Sequence, residues 1–270
     1  MARGAVHSRL VLTPLQQLAA GLSGFAGGLL SGFFGVGGNV ILIPLLALTL
    51  GLTQQQAQGL TLAALLPPLN LPAVWQYRRA GVALSWRIVG YTALGFVTSV
   101  AFGSVLANEV PASALRVVFA VLLVLTARRM WRQPAVTGGA ARVELPARVG
   151  PFAFAAGAAG GFASGLLGIG GAIVLIPLLT RFLKLGQKEA QLTSLAVLLP
   201  PIALPGVIVY ARAQEHLPWG ALLAVACGFI IGSLLGARLN RLISAARLQK
   251  GFAVLLVVSA GALLVTALRS

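Results

Sequence analysis

Ser31-Gly32-Phe33-Phe34-Gly35-Val36-Gly37-Gly38-Asn39-Val40-Ile41-Leu42-Ile43-Pro44-Leu45-Leu46 occurs again, little changed, as Ser164-Gly165-Leu166-Leu167-Gly168-Ile169-Gly170-Gly171-Ala172-Ile173-Val174-Leu175-Ile176-Pro177-Leu178-Leu179. The offset is 133 residues, from Ser31 to Ser164. It also carries Pro67 and Pro68 onto Pro200 and Pro201, Pro72 onto Pro205, Tyr77 onto Tyr210 and Trp86 onto Trp219. Gly95 maps onto Gly228, Gly103 onto Gly236 and Phe119 onto Phe252, with no gap from Ser31 to about Thr126. Glycine and proline end or kink helices, so the two copies break at matching places. An apolar chain with matched interruptions in its two halves has the sequence pattern of a membrane transporter.

Composition agrees. Of 270 residues, 58% are hydrophobic and 9% charged, where a soluble domain carries about 25% charged residues. A soluble core is excluded. Lys and Arg number 20 against four acids, Glu109, Glu144, Glu189 and Glu215, with no aspartate. The net charge of +16 does not indicate nucleic acid, because the basic residues sit in short loops between apolar runs. There they set membrane orientation. Arg128-Arg129-Met130-Trp131-Arg132 suits an anionic cytoplasmic leaflet. The single cysteine, Cys227, allows no disulfide framework and reads as a small core residue.

Ten apolar segments follow a tail at residues 1–13: about 14–34, 39–51, 57–76, 86–107 and 112–130, then 150–167, 172–183, 190–210, 219–238 and 248–268. A crossing takes about 20 residues, so the second segment of each half is short. The third segments contain Pro67, Pro68 and Pro72, or Pro200, Pro201 and Pro205, and must break. The organisation is a first membrane repeat at 1–133, a basic cytoplasmic linker at 134–149 and a second membrane repeat at 150–270.

With the N-terminus outside, ten crossings put nearly every basic loop inside, from Arg78, Arg79 and Arg87 to Arg238, Arg241, Arg247 and Lys250. Gln54–Gln56, Asn108-Glu109 and Arg212 with Glu215 fall outside, and only Arg3 and Arg9 fit poorly. Matching loops of the halves then face opposite sides, as an odd number of crossings requires. The expected fold is an all-α polytopic membrane protein with two inverted repeats of about five helices each. Short or broken helices lie near the midplane, and a pseudo-two-fold axis lies in the membrane plane. A re-entrant second segment would instead make the repeats parallel.

The Ser-Gly-x-x-Gly-x-Gly-Gly motif with its Ile-Pro-Leu-Leu run, present in both halves, resembles the TauE/SafE family of sulfite and organosulfonate exporters, also called the toluene sulfonate uptake permease family. The resemblance covers about residues 14–268. It implies a multi-pass protein of the bacterial inner membrane that moves small sulfur-containing anions such as sulfite or sulfoacetate, with no cofactor. It does not fix substrate or direction. Pairing of two copies is compatible with the sequence.

An anion inside a membrane exchanges water for hydrogen-bond donors, which unpaired amides at a helix start supply. The candidates are Gly35, Gly37, Gly38 and Asn39 in the first half and Gly168, Gly170 and Gly171 in the second, with glycine letting an anion approach the backbone. Thr61, Asn70, Thr193 and Ser194 are candidate side-chain donors, and the breaks at Pro67, Pro68, Pro200 and Pro201 frame the same region. Asn39 and Asn70 become Ala172 and Ala203 in the second half, so the site is expected to be asymmetric. The competing role for such glycines is close helix packing, as at Gly28 with Gly32 and Gly161 with Gly165. No metal site is expected. Arg78, Arg79 and Arg212 follow the broken helices and suit headgroup contact or anion attraction at the mouths.

No buried Asp, Glu or His suggests a proton relay. Outward movement of an anion through an inside-negative membrane gains about 2.3 kcal/mol per charge per 100 mV, which favours potential-driven export. Sodium- or proton-coupled uptake of another small anion, and a purely structural subunit, stay open. So does a membrane enzyme: Gly161-Phe162-Ala163-Ser164-Gly165 resembles the serine motif of intramembrane rhomboid proteases, with His216 as the base. Against it, Ser31-Gly32 repeats the motif in a half where Ala83 replaces that histidine.

Overall fold

The computed structural model describes residues 13–34, 39–64, 66, 71–132, 149–214, 218–240 and 245–268. The first half folds as α1 (Pro14–Phe34), α2 (Asn39–Leu50), α3 (Gln54–Ala64), α4 (Leu71–Arg79), α5 (Trp86–Glu109) and α6 (Ala112–Arg132). The second folds as α7 (Val149–Leu167), α8 (Ala172–Phe182), α9 (Gln187–Val197), α10 (Leu204–Ala213), α11 (Trp219–Asn240) and α12 (Ala245–Leu268). Each helix of the first half starts within two residues of its counterpart once 133 is added. The third segment of each half is two helices, α3 with α4 and α9 with α10, so the five expected segments become six helices.

Local chemistry sets these boundaries. Thr13 and Gln16 cap α1 reciprocally, with the Thr13 amide donating to Gln16 Oε1 and the Gln16 amide to Thr13 Oγ1 at 3.0 and 3.3 Å. Thr53 and Gln56 do the same for α3 at 3.0 and 3.2 Å. At the matching start of α9 the Gly186 amide donates to Glu189 Oε2 at 3.0 Å. The glutamines at 54–56, expected in an outer loop, therefore form the first turn of α3, and Gln54 is buried. α9 ends before Pro200 and Pro201, where the Ile202 amide turns back to the Pro200 carbonyl at 2.7 Å. α2 and α8 have 12 and 11 residues. At 1.5 Å per residue they span about 16–18 Å, short of a hydrocarbon core of about 30 Å. Each carries an internal proline, Pro44 or Pro177.

The halves interlock. α1 and α11 run side by side in the same direction: Gly24 and Gly28 lie on the backbone of Val225 and Phe229, and Gly228 and Gly232 on that of Gly21 and Phe25. α5 and α7 form the matching pair, with Gly157, Gly161 and Gly165 on the backbone of Thr92, Phe96 and Val100. The third intimate pair is α6 with α12. α10 follows α5 in the same direction, with Gly206 near Val100 and Ser104 and Gln214 Nε2 donating to Asn108 Oδ1 at 2.8 Å. α3 runs opposite to α10, because Gln58 meets Tyr210 and Leu62 meets Gly206.

One joint differs between the halves. α10 packs along α5, whereas the counterpart pair α4 and α11 shares at most a marginal contact among the described residues.

The outer surface is apolar, with Leu15, Leu22, Phe102, Leu223 and Val258 exposed. That is inside out for a soluble protein and ordinary for one bathed in lipid. Among the described residues three helices, Trp86–Glu109, Val149–Leu167 and Trp219–Gly236, are long and apolar enough to cross a membrane. Cys227 is exposed on α11, not in the core as its apolar run suggested. Its neighbours Val225 and Phe229 take the inward face, and a helix turns about 100° per residue, which carries position 227 outward.

Candidate functional site

The second copy of the glycine motif divides between two tasks. Gly161 and Gly165 belong to helix packing: a Cβ on either would fall on a carbonyl oxygen of α5, that of Phe96 or Val100. The glycines that follow serve the backbone. Gly168, Gly170 and Gly171 have φ of 71°, 70° and 74°, the left-handed region that side chains disfavour. The Gly168 amide closes α7 by donating to the Ser164 carbonyl at 2.7 Å. Gly171 caps the start of α8.

Residues 167–173 are all buried. Among the described residues no acceptor meets the amides of Gly170, Gly171, Ala172 and Ile173. These are the free donors of a helix start, carrying the positive end of the α8 dipole. A buried amide without a partner costs about 1–3 kcal/mol, so four together are a set of donors open to an acceptor-rich group.

α3 supplies the wall. Gly168 lies against Gln58, where an added Cβ would stand 2.8 Å from the Gln58 Cα. Gln58 is fully buried, and its Nε2 has no partner. Its Oε1 accepts from the Tyr210 hydroxyl at 2.9 Å, and the same hydroxyl lies 2.8 Å from the Gly165 carbonyl. Thr61, one turn further along α3, and Ser164, one turn before Gly168, are buried with unpartnered hydroxyls. Every buried polar side chain among the described residues is uncharged. The chemistry available is therefore donation of neutral hydrogen bonds to an acceptor-rich guest.

A second cluster repeats the first. Gln191 is Gln58 shifted by 133, Ser194 is Thr61 and Tyr77 is Tyr210. The Tyr77 hydroxyl donates to Gln191 Oε1 at 3.2 Å, and the buried Ser194 hydroxyl has no partner.

Of the expected site residues, Gly168, Gly170 and Gly171 form this buried turn, Thr61 lies one helical turn from Gln58, and Thr193 and Ser194 are buried on α9. Pro200 and Pro201 stand exposed at the break, while Ile202 and Ala203 after them are buried. Gly35, Gly37, Gly38, Asn70, Pro67, Pro68 and His216 lie outside the described residues. Asn39 begins α2, and its side chain is likewise outside them. Arg79 stacks on Trp75, 3.8 Å from the ring centroid, and Arg78 and Arg212 are exposed. Gln58, Gln191 and Ser164 were not expected at the site. The signal for the glutamines was present: Ala57-Gln58 recurs as Ala190-Gln191 at the same offset.

An all-helical chain with an apolar surface, short interrupted helices and buried neutral donors is a polytopic membrane protein. The family model for the sulfite exporter TauE/SafE matches residues 20–263, and the chain belongs to that family. It is 34% identical over 191 residues to a "probable membrane transporter protein" of Sinorhizobium fredii, covering 68% of this chain and 73% of that one. A second "probable membrane transporter protein", from Methanocaldococcus jannaschii, is 26% identical over 255 residues, with 89% and 91% covered. No solved structure matches the chain.

Proposed function

We propose that this protein exports small sulfur-containing anions such as sulfite or organosulfonates across a bacterial inner membrane, by alternating access and with the membrane potential as driving force. The observation that carries the reading is the buried Gly168–Gly171 turn, where the amides of Gly170 and Gly171 meet no acceptor among the described residues and which packs against Gln58, whose Nε2 is unpartnered. A pyramidal oxyanion presents several acceptor oxygens and no positive charge, which suits such a donor set. The reading assigns the protein no catalytic reaction.

The proposed architecture is two inverted repeats. Two relations support it. α3 and α10, the first arm of one third segment and the second arm of the other, run in opposite directions. α10 and α5 run in the same direction. If each third segment crosses the membrane once, so that α4 continues the direction of α3, parallel repeats would require the reverse of both. With the basic loops inside, the ends of α5 and α10 near Asn108 and Gln214 lie at the outer face.

The test is flux from proteoliposomes under an imposed potential, with sulfite, sulfoacetate and acetate compared. Potential-dependent efflux of the sulfur anions without sodium or a proton gradient is expected. Flux that appears only with such a gradient would replace export by coupled uptake.

A further inference from the structure

We infer that Gln58 and Gln191 are the residues that select the transported anion, one in each half, each aimed by a tyrosine from the other half. The inference rests on the anion-transport reading above and names the residues that would carry its specificity.

A carboxamide is two-faced, with an oxygen that accepts and an NH2 that donates. Left free in a buried site, it turns either face to a guest and discriminates poorly. Here Tyr210 reaches from the second half, and its one hydroxyl proton is shared between Gln58 Oε1 at 2.9 Å and the Gly165 carbonyl at 2.8 Å. The acceptor is thereby occupied, and the two N–H groups of Nε2 are left for something else. Nothing in the described protein takes them, although Gln58 is fully buried. Tyr77, from the first half, makes the same bond to Gln191 at 3.2 Å. Both pairs follow the 133-residue offset, so one arrangement is built twice and each time joins the halves.

The hydroxyl one turn beyond each glutamine is buried and unpartnered, on Thr61 in the first cluster and Ser194 in the second, although Gln191 itself is only half-buried. Each cluster thus offers an NH2 and a hydroxyl at i and i+3 on one helix face. Gln58 adds contact with the amide-rich turn through Gly168. No buried cation accompanies them among the described residues. Discrimination must then come from the number and direction of hydrogen bonds rather than from charge. A three-oxygen head, sulfite or sulfonate, fills such a set more completely than a two-oxygen carboxylate. The two clusters differ in the structure: the Tyr210 hydroxyl is fully buried with two acceptors, while Tyr77 is half-buried with one acceptor and a longer bond.

The experiment measures sulfite and acetate flux in proteoliposomes for the full chain and for Gln58→Glu, Gln191→Glu, Tyr210→Phe and Tyr77→Phe. Glutamate keeps the shape of glutamine but replaces the donor by a second acceptor. Each glutamate variant is expected to raise KM for sulfite about tenfold or more, because a hydrogen bond to a charged guest is lost. Each phenylalanine variant should lower the sulfite-to-acetate ratio of kcat/KM while total flux persists, since the freed carboxamide turns either face. Thermal melting checks folding. Should a glutamate variant not fold, Gln58→Asn serves instead, with a raised KM for sulfite expected from the retracted amide. Unchanged KM and an unchanged ratio in folded variants would overturn the inference while leaving the transport reading intact. Absence of sulfite flux in the unaltered protein would overturn both.

Discussion

Gly168 and Gln58 touch backbone to side chain: a methyl group on the glycine would stand 2.8 Å from the Cα, Cβ and nearly the Cγ of the glutamine. The contact joins the amide-rich turn of the second half to the third segment of the first. Gly168→Ala should therefore fail twice. It forces a side chain into φ of 71°, at about 1–3 kcal/mol, and pushes α3 from the turn. A lower melting temperature together with reduced sulfite flux is expected. Normal values of both would remove the turn from the site.

Gly161 and Gly28 are counterparts, each seated on a facing helix backbone, Phe96 for one and Phe229 for the other. Gly161→Leu and Gly28→Leu should each destabilise by at least about 1–3 kcal/mol, the usual penalty of overpacking, with little room for relief against backbone. Unfolding in detergent measures this. A variant with unchanged stability would mean that the helix pairs are looser than described.

Cys227 faces outward from α11. A lipid-soluble maleimide should label it in the native protein, and Cys227→Ser should retain full flux. Labelling only after denaturation would return the residue to the interior.

Gln214 and Asn108 join the ends of α10 and α5 through one amide-to-amide bond of 2.8 Å. Nearby, Gln55 Nε2 lies 3.4 Å from the Val110 carbonyl. Gln214→Ala removes about 0.5–1.5 kcal/mol of net hydrogen bonding. Its effect should appear in the transport rate rather than in the KM for sulfite, because these groups lie away from the glycine turn. A changed KM with an unaltered maximal rate would contradict that assignment.

Much of the fold was legible because glycine and proline interrupt apolar runs at fixed places. The 133-residue repeat located α1, α2, α5 and α8 to within a residue or two. The divided third segments followed from Pro200 and Pro201. The site was half legible. Gly168, Gly170 and Gly171 announce themselves, since few other residues tolerate positive φ. Gln58 did not, because it follows Gln54-Gln55-Gln56 and a run of glutamines reads as a solvated loop. Only the packing of α3 against α10 and the Gly168 turn reveals that Gln58 faces inward, and Gln54 is buried on the same helix. Cys227 misled for the converse reason: within a membrane, an apolar neighbourhood does not distinguish the interior from the lipid side.

The joint that differs between the halves is a record of timing. A chain made of two like halves needs no new contact to invent its second shape; it lends the posture of one half to the other. The meeting of α10 with α5 is thus a template for a closer meeting of α4 with α11, which share at most a marginal contact among the described residues. On the alternating-access proposal, carriage amounts to passing that closer fit from one half to the other.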